Sequence, residues 1–163
     1  MRLSGREIDD YLLDLTELAE RYGVEFALAE GRWPIVEVDN RDVRRITVSG
    51  TLPAAQPNGS AIKVSEIWRP IDTDAFERSA YLYELVDHER GFRRAFHRHH
   101  EKDFLGRYGV VVHEHCESPL GTAPCPHLFG PPVRDGFRAL ELLMTAWISD
   151  QPRCADLPCL ELI

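Results

Sequence analysis

Six of the seven histidines lie between positions 88 and 115, and four of them form two pairs with equal spacing, His97 and His99, then His113 and His115. Imidazole has an unperturbed pKa near 6.5, so of two neighbouring copies one can take a proton while the other gives one. Arg90, Arg93, Arg94, Arg98 and Lys102 surround the first pair, in a chain whose formal net charge is −8. A basic patch on an acidic chain argues against coating nucleic acid by bulk charge and for one anion-facing place. The plainer alternative is arginine set along a strand edge to prevent edge-to-edge pairing.

A spacing of two places both members of a pair on one face only if the segment is a strand. The alternation of apolar residues predicts strands over 33–38, 44–52, 61–71, 79–86, 91–99 and 108–115. Turn signals stand between them: Asp39-Asn40, Pro57-Asn58-Gly59, Asp72-Thr73-Asp74, His88-Glu89-Arg90-Gly91 and Gly106. Short connectors without intervening helices imply an antiparallel meander of about six strands. If the two histidine-bearing strands are neighbours, the four imidazoles share one place. Parity then puts Arg94 and Arg98 on the face away from His97 and His99, and Arg93 on the same face. Glu66 interrupts the apolar alternation of Ile62, Val64 and Trp68. A carboxylate there needs a partner. A salt bridge to arginine is the favoured partner, and orienting a histidine the other.

Two amphipathic helices flank the sheet. Ser4 and Glu7 form a capping box with Leu3 and Ile8 at the staple positions; Ile8, Leu12, Leu15, Leu18 and Tyr22 recur at helical spacing until Gly23. Pro131-Pro132 opens the second helix, with Val133, Phe137, Leu140, Met144 and Trp147 as its stripe. The expectation is therefore one α+β domain over 1–163: a helix at about 5–22, a sheet at about 24–116, a Pro/Gly-rich loop at 117–132, a helix at about 132–149 and a short tail. No apolar run approaches the roughly 20 residues of a membrane helix. The start, Met1-Arg2-Leu3-Ser4, leads straight into a charged amphipathic segment with no secretory h-region. A cytoplasmic location is expected.

In that compartment Cys116, Cys125, Cys154 and Cys159 are thiols or metal ligands, not a disulfide framework. His115, Cys116, Cys125 and His127 are ligand types that zinc accepts. His115 and Cys116 are consecutive, however, and point to opposite faces of a regular strand. Unliganded thiols are the expectation and structural zinc on Cys116, Cys125 and His127 the alternative. No Walker sequence, GxSxG or HExxH is present.

Three segments taken in order carry a resemblance: Asn58-Gly59-Ser60-Ala61-Ile62-Lys63-Val64-Ser65-Glu66, Ala80-Tyr81-Leu82-Tyr83-Glu84-Leu85-Val86-Asp87, and Phe92-Arg93-Arg94-Ala95-Phe96-His97-Arg98-His99-His100. With a second histidine group and a C-terminal helix after them, over about 58–148, they resemble the TumE-type toxins of toxin–antitoxin systems. The resemblance implies a growth-inhibiting toxin acting on RNA, shielded by a cognate antitoxin protein. On that reading His97 and His113 are the acid–base pair, His99 and His115 support them, Glu66 orients a histidine, and Arg93, Arg94 and Arg98 meet the phosphate. Such a ribonuclease needs no cofactor. A homo-oligomer is compatible with it. The rival expectation is a non-enzymatic binding or adaptor protein, an antitoxin or immunity partner, using its acidic surface and cysteine tail.

Overall fold

The computed structural model describes residues 1–26, 35–52, 59–98, 112–117, 119–121, 125–127, 133 and 135–148; for Ile35, 112–115 and 125–127 it describes the backbone alone. Within these residues the order is β1 (Arg2–Leu3), α1 (Gly5–Arg21), β2 (Glu25–Phe26), β3 (Ile35–Val38), β4 (Arg44–Thr51), β5 (Ala61–Asp72), β6 (Ala75–Asp87), β7 (Phe92–Arg98), β8 (Val112–Glu117), β9 (Cys125–His127) and α2 (Gly136–Ile148). The fold is α+β. All the described strands join one antiparallel sheet in the order β2-β4-β5-β6-β7-β8-β9, with β1 added to β6 and β3 to β4. No described helix is long and apolar enough to cross a membrane.

The capping box of α1 forms as the sequence predicts. The Ser4 side chain accepts from the Glu7 N–H, and the Glu7 carboxylate accepts from the Ser4 N–H at 2.7 Å. Ile8, Tyr11, Leu12, Leu15 and Ala19 turn one stripe of α1 inward. Leu140, Leu143 and Met144 do the same for α2. Both stripes pack on one face of the sheet, the face of Ile46, Val48, Ile62, Val64, Trp68, Tyr83, Leu85, Phe92 and Phe96. Apolar burial of this kind is the main favourable term for the fold, about 25 cal/mol per Å² removed from water.

The strand boundaries differ from expectation in one informative place. The alternation predicts β6 from residue 79, yet the strand begins at Ala75. Buried residues there run Phe76, Arg78, Ser79, Tyr81, Tyr83, which breaks a strict period of two. The cause is a register shift between Ile67 and Trp68, where Arg78 pairs with Trp68 and Ala80 with Ile67, leaving Ser79 as the extra residue. Ser79 Oγ donates to the Ile67 carbonyl at 3.1 Å and accepts from Arg69 Nε at 3.2 Å, so the side chain of the extra residue ties the bulge back to β5. Its effect is to turn Arg78 into the core.

Turn chemistry sets the other hairpins. Thr73-Asp74 alone links β5 to β6, with Asp72 opposite Ala75. Between β6 and β7, Gly91 adopts φ +70°. Asp87 spans that turn by accepting from the Arg90 N–H at 2.8 Å and from Arg90 Nε at 2.7 Å. The same arginine donates from Nη1 to the Trp147 carbonyl at 2.9 Å, near the end of α2, where a cation complements the last carbonyls. The 117–132 segment was expected to be loop only, but it contains β9, a three-residue strand paired with β8. His99, most of the 117–132 segment and the tail with Cys154 and Cys159 lie outside the described residues.

Candidate functional site

The Asp87–Phe92 hairpin fixes which residues of β6 and β7 face each other, and β8 adds to the far side of β7. In that register His97 is directly opposite His113, Ala95 opposite His115, and Arg93 opposite Glu117. His97 therefore sits on the strand next to the one that carries His113 and His115, as the sequence predicts, while His99 lies outside the described residues. Directly opposed residues have Cβ atoms about 4.5–5.5 Å apart. His97 is only 8% exposed. Its other cross-strand neighbour, on β6, is Leu82. One imidazole position is thus largely dry, with an apolar neighbour on β6, and electrostatic interactions there are stronger than in water.

These histidines occupy the face of the sheet away from the helices. Arg93 lies on that face too, as parity requires, but its charge is already engaged. Nε donates to Glu84 Oε1 at 2.5 Å and Nη1 to Glu117 Oε1 at 2.6 Å. Burial works to lower the guanidinium's pKa, and the hydrogen bonds and charges of Glu117 and Glu84 outweigh it, so the pKa is raised overall. Arg93 was expected to meet a phosphate; here it is held by two carboxylates that a phosphate would have to displace. Glu84 and Glu117 are the residues sequence reading passed over. The turn at 88–91 carries the signal, since pairing Asp87 with Phe92 puts Glu84 opposite Ala95 and one position diagonal to Arg93.

Arg94 and Arg98 lie on the helix side, as expected from parity. Arg94 sits over the Phe96 ring, 5.7 Å from its centroid, and Arg98 is opposite Tyr81. Neither shares a face with His97, so the expectation that they bind substrate beside the histidines does not fit this register.

Glu66 is likewise on the helix side and cannot orient His97 or His113 across the sheet. The arginine partner favoured from sequence is the one found. Glu66 Oε1 accepts from Arg78 Nη1 at 3.0 Å, with neither side chain more than 3% exposed. Tyr11 and Tyr83 hydroxyls also donate to Oε1, the former at 2.8 Å, and Trp68 Nε1 donates to Oε2 at 2.8 Å. The Tyr11 hydroxyl in turn accepts the Gly136 N–H at 2.9 Å, at the first residue of α2. Burial, followed by the Glu66 charge, pushes the Tyr11 and Tyr83 phenols far above their usual pKa, so both stay protonated donors. Arg78 also lies over the Tyr81 ring at 4.7 Å. This buried network ties α1, β5, β6 and α2 together and has a structural role.

Among the described side chains no three His, Cys, Asp or Glu residues gather as metal ligands. Comparison with family models, with curated proteins and with solved structures gives no match to this chain.

Proposed function

We propose that the chain is a ribonuclease similar to the TumE-type toxins, with His97 and His113 as its acid–base pair and a cognate antitoxin as its partner. The observation that carries this reading is the cross-strand register, which sets those two histidines opposite one another. In the reaction one neutral imidazole takes the proton of a ribose 2′-hydroxyl. The 2′-oxygen attacks phosphorus, a cyclic phosphate forms, and the second, protonated imidazole gives its proton to the departing 5′-oxygen. His115, two residues along β8, supports the pair. The chemistry needs no metal or cofactor.

The Glu84–Arg93–Glu117 cluster favours a second reading, a non-enzymatic binding protein, because it leaves the histidine face without a free described arginine on β7 to attract a phosphate. One experiment separates the two. Purified protein is incubated with RNA, and induced expression is followed by growth. Cleavage ending in 2′,3′-cyclic phosphate, lost by a factor of about 10² or more in folded His97→Ala and His113→Ala, supports the ribonuclease. Equal cleavage by the folded variants would remove the histidines from the chemistry. An intact RNA and unchanged growth with every variant would favour the binding protein.

A further inference from the structure

Tyr81, on the helix side of β6, is 5% exposed, and its hydroxyl has no hydrogen-bond partner among the described residues. A phenol buried that far ordinarily has one. Its ring is held in place: it stacks on Tyr83 with centroids 4.9 Å apart, and the Arg78 guanidinium lies over it at 4.7 Å. The ladder sets Glu66 opposite Tyr81 on one side and Arg98 opposite it on the other. Burial raises the Tyr81 pKa, and the charges of Arg78 and Arg98 work against it, so both guanidiniums act on the hydroxyl. Arg98 Nε is buried too and has no partner among the described residues, although the side chain as a whole is only partly buried. Glu66 does not answer Arg98. It stands two strands away, about 9–10 Å, and its carboxylate is taken by Arg78, Tyr11, Tyr83 and Trp68. Val112, opposite Arg98 on β8, brings no charge.

We infer that Tyr81 and Arg98 form a binding site for a small carboxylic acid, whose carboxylate accepts from the Tyr81 hydroxyl and the Arg98 guanidinium. Charge and donor count select this ligand. Glu66 balances Arg78, and among the described residues Arg98 makes no ion pair, which leaves one positive charge over. Directly opposed side chains start about 4.5–5.5 Å apart, so one group with two oxygens can reach both donors. A carboxylate carries one negative charge and two acceptor oxygens, and its plane matches the guanidinium fork. A phosphate monoester brings close to two charges, and the Glu66 carboxylate next to Tyr81 would repel the second. The partly exposed Arg98 opens the site to solvent, and Tyr81 closes its inner end. This inference stands apart from the ribonuclease reading, since His97 faces the other side of the sheet.

The test titrates the full chain with acetate, dimethyl phosphate or chloride at constant ionic strength, followed by NMR of the arginine Nε–H and tyrosine ring signals. Acetate should move the Arg98 Nε–H and the Tyr81 ring together along one saturating curve, and should raise the thermal midpoint above that in chloride. Tyr81→Phe keeps the ring that stacks on Tyr83 and removes the hydroxyl, so it should weaken acetate binding about tenfold, as loss of a hydrogen bond to a charged group does. Arg98→Gln should abolish the shift of the Tyr81 ring. The spectra of the unaltered chain decide the matter even if a variant folds poorly. Acetate that leaves both signals unmoved overturns the inference, as does chloride that moves them alike. Undiminished acetate binding by folded Tyr81→Phe overturns it too. Dimethyl phosphate binding more tightly than acetate overturns the assignment to a carboxylate.

Discussion

Glu66 and Arg78 face each other at 3.0 Å with almost no exposure to water, although 12 residues of chain separate them. Among the described residues the other hydrogen bonds to the Glu66 carboxylate come from neutral donors, Tyr11, Tyr83 and Trp68. Removing one member of such a pair leaves an uncompensated buried charge, which costs about 3–5 kcal/mol. Glu66→Ala and Arg78→Ala should each lower the unfolding free energy by an amount in that range, read as a lower midpoint in urea. Replacing Arg93 or Glu84, which are partly exposed, should cost far less.

Gly136 begins α2 so close to Tyr11 that a methyl group would lie 2.5 Å from the phenolic oxygen and 3.1 Å from Leu15 Cδ2. Gly136→Ala should therefore destabilise the fold by about 1–3 kcal/mol through crowding. Tyr11→Phe removes the crowding oxygen together with its two hydrogen bonds. In that background the alanine should cost less, and a double-mutant cycle on thermal unfolding should give a coupling of at least 0.5 kcal/mol.

Asp87 has a pKa below the usual carboxylate range. Burial pushes it up, but the Arg90 N–H, the Arg90 side chain and the Ser60 hydroxyl outweigh that. A carboxyl whose folded pKa is depressed contributes stability that is fully present above its unfolded value, about 3.9, and is lost as pH falls through the lower folded value. Acid unfolding of the parent should accordingly be steeper below about pH 5 than that of Asp87→Asn. At neutral pH the variant should be less stable by about 1.5–3 kcal/mol, the worth of hydrogen bonds to a charged group.

Freeing Arg93 should change what the histidine face attracts. Glu117→Gln removes one of the two carboxylates that hold the guanidinium. If that face meets RNA, binding should tighten and its salt dependence should steepen by about one phosphate contact. Filter binding across a salt series measures both. Unchanged affinity and slope would place the RNA contact elsewhere.

Much of the architecture was readable because each local signal agreed with the global arrangement. The Ser4–Glu7 box, the period-two runs and the Asp72-Thr73-Asp74 turn all specify the element that forms. The β6 start was not, because the bulge at Ser79 shifts the inward-facing set by one residue. β1, β2 and β9 were missed because two or three residues are too few to show a period. For the candidate site, strand parity correctly separated Arg93 from Arg94 and Arg98. It could not show that Glu84 and Glu117 would close on Arg93, since Glu117 meets it only through the β7–β8 register. That register depends on a connection whose length alone sets no pairing. Glu66 was legible as a carboxylate needing an arginine, but the identity of that arginine depended on the bulge.

The contact between Gly136 and Tyr11 spans 125 positions of chain. During synthesis the ribosome releases residues in order, so the first helix emerges long before the segment that ties it down. Until then the Tyr11 hydroxyl lacks its α2 donor and the inner surface of the sheet lacks half its cover. A nascent chain halted before residue 136 should therefore be a client for chaperones that bind exposed apolar surface, and should be released from them once α2 has cleared the exit tunnel.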